Sequence, residues 1–465
     1  MLSQPKLKVK LICAVLAVVW MLSLLALMAA ADLLSPQALL TYDYHTAFHI
    51  AGRLAVEHKI NLLYPPTTAT SFQGAPFDII THQALPEISK DIVAVFMYCP
   101  LVAYLFIPFA GLPANIGLLL WQTINVIALI AGLAMTRSFI AHCRLLDLQQ
   151  VRQIRQIQSP GAEAPNLAPR SKLPGLFMLT AYSFAFLPIF GTLWPGQLDL
   201  ILGFLPLSAG CLLFAKGKDL AAGLVWSSLC LKPQLFPIAL LLTFSALVKK
   251  RPQTLLGIVG GIAFLAIACL FASDIDTIVN WIASLRLAEA MYSGGIVRNP
   301  EHLVGSLSAG LLVYFPAEQR MSVKAAIYGI TLLFGIINLA CVWRLASEKL
   351  LPGQWHLLNA VVCAVPLVTY APRLLTYDWS VLIFPLAVAL LALRAQRPIF
   401  LACLSLVILV DLEIIVQVWA KPMPPPLLFT LAATLSVLVL YLGTLASKRD
   451  LEIDMKILPG ENLRN

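Results

Sequence analysis

The chain has 465 residues, 60% of them hydrophobic and only 12% charged, and its mean hydropathy is +0.85. A soluble domain carries roughly 25% charged residues, so this composition excludes an ordinary soluble enzyme and fits a chain that buries many helices in lipid. The formal net charge of +9 is better explained by topology than by a nucleic-acid partner, because the basic residues gather in the connections on one side of the membrane.

Residues 11–31 are an uncharged apolar run. The run is longer than a signal-peptide core and no convincing cleavage site follows it, so the expectation is an uncleaved first span. A polar loop over 32–91 comes next, and the whole connection 32–114 is assigned to the extracytoplasmic side. Within it, Tyr44, Ala47, Phe48, Ala51, Leu54 and Ala55 recur at helical spacing, while His45, His49 and Arg53 share another face. That pattern predicts an amphipathic helix over 42–57, lying on the outer membrane surface with Asp43 in its first turn. A carboxylate there is favoured by the helix dipole alone. The i, i+4 pair His45 and His49 has the spacing of two metal ligands, but no convincing third ligand accompanies them, and a solvated helix face is the simpler reading.

Apolar runs predict about twelve spans: 11–31, 115–136, 173–190, 199–215, 220–231, 234–247, 254–272, 325–345, 355–371, 379–393, 398–418 and 427–446. The expected fold class is therefore all-α, a polytopic integral membrane protein forming one domain over 1–465. With the N-terminus inside, the loop from Arg137 to Lys172 falls inside, as do Lys249 to Arg251 and the tail 447–465. Both termini are then cytoplasmic. The segment 137–172 includes a Gln/Arg-rich and then Pro/Ala-rich stretch, expected to be a flexible linker. Residues 93–110, interrupted by Pro100 and Pro108, and residues 302–316 are placed on the outer side, lying in the interface or dipping in. The run 220–247 has basic residues beyond both ends, which favours two short helices folded back at Lys232 and Pro233. An intramembrane lysine is costly and usually paired or functional, and at the tip of such a hairpin Lys232 would face outward, toward a phosphate.

Further polar residues fall at predicted outer turns: Gln197 and Asp199 after Trp194, Pro195 and Gly196; Arg298 to His302; and Arg373, Tyr377 and Asp378. Arg373 suits a phosphate clamp or an end-of-helix charge. The nine cysteines form neither a Cys-x-x-Cys pair nor a disulfide framework.

In order along the chain, Asp43 with Tyr44, Tyr64, Phe96 with Tyr98 and Pro100, Pro108 to Pro113, Trp121 with Asn125, Gly196 with Gln197, and Gly223 followed by Lys232 and Pro233 resemble the membrane glycosyltransferases of family 87. That group includes polyprenyl-phosphate-mannose-dependent α-mannosyltransferases of GT-C fold. The resemblance spans about residues 40 to 390 and implies a GT-C-like enzyme with outer-face interfacial helices. Two departures stand out: Cys99 lies where the pattern often has proline, and Leu198 with Asp199 replaces the commoner Val-Asn. The implied reaction moves a hexose such as mannose from a polyprenyl-phosphate donor to a lipid or glycan acceptor, at the extracytoplasmic face of the cell inner membrane. Asp43 matches the family's catalytic carboxylate. Tyr44, His49, Tyr98, Gln197, Lys232, His302, Arg373 and Asp378 are the expected substrate-binding residues, with Lys232 and Arg373 receiving the leaving lipid phosphate. No cofactor and no protein metal site are expected. The rival readings are a transporter or flippase of lipid-linked sugars, favoured by the break at Lys232 and opposed by the absence of a visible repeat, and a non-catalytic scaffold.

Overall fold

The computed structural model describes residues 4–34, 43–158, 173–293, 306–371, 374–393, 396–419 and 427–446. Among these every regular element is helical. In chain order they are α1 (Gln4–Leu34), α2 (Ile50–Val56, led in by a π-helical turn Tyr44–His49), α3 (Pro76–Ala84), α4 (Pro100–Tyr104), α5 (Ala114–Gln158), α6 (Leu176–Ser183), α7 (Leu187–Leu193) and α8 (Leu205–Ala215). Then come α9 (Asp219–Ser227), α10 (Phe236–Val248), α11 (Gln253–Ala272), α12 (Ile275–Ser293), α13 (Leu307–Val313), α14 (Ala317–Ser347), α15 (Pro352–Ala364), α16 (Leu367–Tyr370), α17 (Ile383–Ala392), α18 (Arg397–Trp419) and α19 (Leu427–Ala446).

Five described helices are long and apolar enough to cross a membrane, six if α6 and α7, bent by 85° at their break, count as one span. The chain is a multi-pass membrane protein, but the expected twelve spans are not reproduced. Several predicted runs fold instead into apolar helices of 10–17 residues, among them Leu200–Ala215, Asp219–Leu231 and Tyr377–Ala392, short of the roughly 20 residues a crossing requires. Hydropathy registers an apolar run; it does not distinguish a helix that faces lipid from one that stops halfway inside protein. The bend between α6 and α7 has a local cause. Pro188 sits in the first turn of α7, and the Leu187 N–H donates to the Asp411 carboxylate at 2.8 Å instead of to a preceding turn.

The α9–α10 unit shows how sequence sets position. Gly223 and Gly257 let α9 and α11 touch backbone to backbone: a Cβ on Gly223 would lie 2.2 Å from the Thr254 carbonyl, and one on Gly257 2.2 Å from that of Leu220. Small residues at helical spacing allow this approach, which maximises dispersion where lipid supplies no hydrophobic drive. The Arg251 guanidinium donates to the Asp219 carboxylate (Nε to Oδ2, 2.8 Å) and to the Phe214 carbonyl at 2.7 Å. Asp219 opens α9 and Arg251 follows α10, so the two arms return to one end and place Lys232 at the opposite tip.

Beside a small cluster of Phe72 and Ala288, two large apolar cores result. The larger runs through α1, α5 to α10 and α14 to α19. The smaller sits over one end of the bundle and is aromatic: Phe48 stacks on Phe106 at 4.8 Å, and Phe106 meets Trp121 at 4.6 Å. Such pairs add about 0.5–1.5 kcal/mol each beyond their area burial. This cap comprises residues 43–109 with the start of α5, and buried Asp78 pins it by accepting the Gly74 and Ala94 N–H groups, each at 2.8 Å.

Two further expectations are corrected. The helix over 42–57 does not lie on a surface: Tyr44 to Gly52 are all buried, His45 and His49 included, and only Arg53 of the polar face is exposed. The cap folds over it, burying the face that periodicity marks as polar. The stretch 137–158 is not loose linker but the continuation of α5, a rod of about 68 Å at 1.5 Å per residue. Its Asp147 accepts the Gly353 N–H at 2.7 Å and caps α15. Residues 159–172 and the tail 447–465 lie outside the described residues.

Candidate active site

The site forms where the cap meets three broken helix ends. The first is the turn Trp194 to Asp199. Gly196 has φ +73°, a left-handed conformation that glycine adopts at no steric cost, and a Cβ there would come 2.9 Å from the Tyr44 and Leu118 side chains. The turn is fastened on several sides. The Tyr44 N–H donates to the Pro195 carbonyl at 3.1 Å, the Trp121 indole to the Gly196 carbonyl at 2.9 Å, and the Gln122 amide to the Trp194 carbonyl at 3.2 Å.

Fixed in this way, the fully buried Gln197 donates its amide N–H to the Asp43 carboxylate. Its own carbonyl accepts from the Tyr98 hydroxyl at 3.3 Å, and the Tyr98 backbone carbonyl in turn accepts from the Tyr64 hydroxyl at 2.5 Å. A chain of donors thus runs from Tyr64 through Tyr98 and Gln197 to Asp43, orienting a carboxylate that is itself only half-buried.

The second helix end is the hairpin tip. Lys232 has no solvent exposure and its ammonium lies between two carboxylates, Asp199 and, at 2.6 Å, Asp378. The third end is the short turn Thr376–Leu382. It brings Asp378, which also accepts the Leu375 N–H at 2.7 Å, and Tyr377, whose ring centre lies 5.3 Å from the lysine Nζ. Lys232 was expected to present a free cation to phosphate; instead it is already paired on both sides. An unpaired ammonium buried at this depth is prohibitively costly, and two carboxylates compensate it.

Burial pushes the Asp43 carboxyl above the usual carboxylate range. The Gln197 hydrogen bond and the Lys232 charge pull it back, and Asp378 adds to the rise. His45 and His49 are pushed down to about 4, first by burial and then by their neighbours, His49 for the former and Arg53 for the latter. Both are therefore neutral near pH 7.

Of the expected site residues, Asp43, Tyr98, Gln197, Lys232 and Asp378 come together. Tyr44 and His49 adjoin them but point into aromatic packing, with ring centres 6.1 Å apart and neither the Tyr44 hydroxyl nor the His49 Nδ1 partnered among the described residues. His302 and Arg373 lie outside the described residues. Sequence reasoning did not assign roles to Asp199, Tyr377 and Tyr64. Asp199 stands two residues after Gln197 and Tyr377 directly before Asp378, so adjacency was the available signal. No group of three or more His, Cys, Asp or Glu side chains that could hold a metal ion occurs among the described residues.

A multi-pass helical protein with an oriented, half-buried carboxylate under a cap fits a membrane-embedded enzyme. The chain belongs to glycosyltransferase family 87, whose model matches residues 96–370. No curated protein and no solved structure matches it. Gln197, Asp199 and Lys232 all fall within the matched span, and Asp43 precedes it.

Proposed function

We propose that this membrane glycosyltransferase moves a hexose such as mannose from a polyprenyl-phosphate donor to a lipid or glycan acceptor, at the extracytoplasmic face of a bacterial inner membrane. The observation that carries this reading is the orientation of Asp43 by Gln197, at the junction of cap and bundle. In the proposed step the acceptor hydroxyl attacks the anomeric carbon and its proton passes to the Asp43 carboxylate. The bond from that carbon to the phosphate oxygen breaks, and the lipid phosphate leaves with the electron pair. A base that is harder to ionise in its burial is also a better proton acceptor, provided it starts ionised. Gln197 and Lys232 favour that ionised form. Lys232 we assign to holding Asp199 and Asp378 in place, and Arg373 to the leaving phosphate, whose developing charge needs a cation. The distribution of basic residues supports cytoplasmic termini.

The test is transfer of radiolabelled sugar from a panel of polyprenyl-phosphate sugars to native lipid extract, using protein reconstituted in vesicles. Asp43→Asn should lower the rate by about 10²–10⁴-fold while leaving the thermal midpoint unchanged. Equal transfer by both proteins removes Asp43 as the base. Label crossing sealed vesicles without transfer turns the reading toward transport.

A further inference from the structure

A cleft of about 580 Å³ opens between the Thr67 segment of the cap and one face of α12. Its helix wall is a stripe of Val279, Ile282, Ala283 and Leu287, spaced as one side of a helix, with Arg286 in the same stripe. The volume lies within the range of small-molecule sites, which are mostly apolar with a few polar groups that fix orientation. Arg286 is exposed and makes no hydrogen bond or ion pair with any described residue. The cations at the hairpin behave otherwise: Lys232 and Arg251 each meet carboxylates.

Two placements bear on what the cleft holds. α12 starts at Ile275, three residues beyond the end of α11, one of the helices long and apolar enough to cross the membrane. α12 therefore begins where the chain leaves a candidate span, and span ends lie at the level of lipid head groups. The helix that walls the cleft is also tied to the segment that carries Tyr98. Leu287 and Met97 pack against the same small cluster of Phe72 and Ala288, and the Trp281 indole on another face of α12 donates to the Met97 carbonyl at 3.1 Å. Met97 is joined to Tyr98, which hydrogen-bonds Gln197.

On the glycosyltransferase reading, on which this inference rests, we propose that the cleft holds the carrier lipid of the donor. Its phosphate sits on the Arg286 guanidinium in the bound donor, Arg373 being kept for the charge that develops as that phosphate leaves, and its first hydrocarbon units lie along Val279, Ile282 and Ala283. A guanidinium presents two parallel N–H donors that match two phosphate oxygens, and the stripe offers apolar surface to the chain behind them. An ordinary phospholipid head group offers the same charge; the connection to Tyr98 favours the substrate lipid.

The experiment measures binding of radiolabelled decaprenyl phosphate to the full-length protein in phosphatidylcholine nanodiscs. Arg286→Gln should raise Kd by about tenfold or more and Arg286→Lys by less. Ala283→Trp, which fills the cleft without touching the charge, should also weaken binding, and decaprenol lacking the phosphate should bind poorly to every version. Excess phosphatidylglycerol should not displace the label. The proposal is overturned if wild type does not bind, if Arg286→Gln binds within about twofold of wild type, or if phosphatidylglycerol competes equally. Because the readout is binding, the two readings fail separately. Lost binding in Arg286→Gln with no sugar transfer by wild type sinks the enzyme reading alone. Transfer that depends on Asp43 with unchanged binding in Arg286→Gln sinks this one alone.

Discussion

The two ends of the α9–α10 hairpin carry charge pairs of different kinds. At the base, Arg251 and Asp219 are partly exposed and also meet a backbone carbonyl. At the tip, Lys232, Asp199 and Asp378 are almost entirely removed from solvent. A clasp that water can reach contributes modestly and tolerates change. A buried triad costs desolvation on every member, so apolar residues of similar volume serve stability equally well or better. The base pair therefore reads as a device of folding. The tip triad lies beside the network that positions Asp43, whose carboxyl feels the Lys232 charge, and its expense is accounted for there.

The comparison breaks most sharply at Lys232. Lys232→Met leaves two carboxylates buried without their cation and should cost about 3–5 kcal/mol of stability, seen as a lower midpoint in thermal unfolding of the purified protein. Adding Asp199→Leu and Asp378→Leu should recover most of that loss but no activity. Recovery of activity as well would reduce the triad to packing.

Gln197→Leu removes the donor to Asp43 and one support of its ionised form. Asp43 must be deprotonated to accept the acceptor's proton, so activity falls as pH drops through its pKa. Burial already sets that pKa above the ordinary range, and loss of the amide raises it again. The acid limb of the rate profile should therefore move to higher pH in Gln197→Leu. An unmoved limb would separate Gln197 from Asp43.

The cap should also be acid-labile. His45 and His49 have folded-state values near 4 against an ordinary 6.5. Between those values the unfolded chain takes up protons that the native cap does not, so stability present above about pH 6.5 is lost as pH falls toward 4. His49→Gln should flatten that loss, read from thermal midpoints across the interval; an unchanged slope would mean that the ring is not buried neutral.

The smallest effect belongs to the base of the hairpin. Arg251→Gln should cost about 1 kcal/mol and leave sugar transfer intact. A loss as large as that of Lys232→Met would erase the distinction between the two ends.

The sequence alone determined the class, through low charge and long apolar runs, and it determined much of the site. Asp43, Gln197 and Lys232 are legible because polar groups in an apolar chain are costly and persist only where something compensates them. Lys232 with Pro233 also marked the fold-back point, since proline removes a donor just where the run would otherwise continue. Only the tertiary structure decided the rest. Periodicity reports which side chains can share a face but not what covers that face, so the helix bearing His45 and His49 looked solvent-facing until the cap closed over it. Hydropathy gives burial without length, so apolar helices of 10–17 residues passed for full spans. The partners of Lys232 lie 33 and 146 positions away in the chain, and no local rule links them. The packing of α9 on α11 and the turn at Gly196 bring those charges together, because in a medium without water each must find its partner inside the protein.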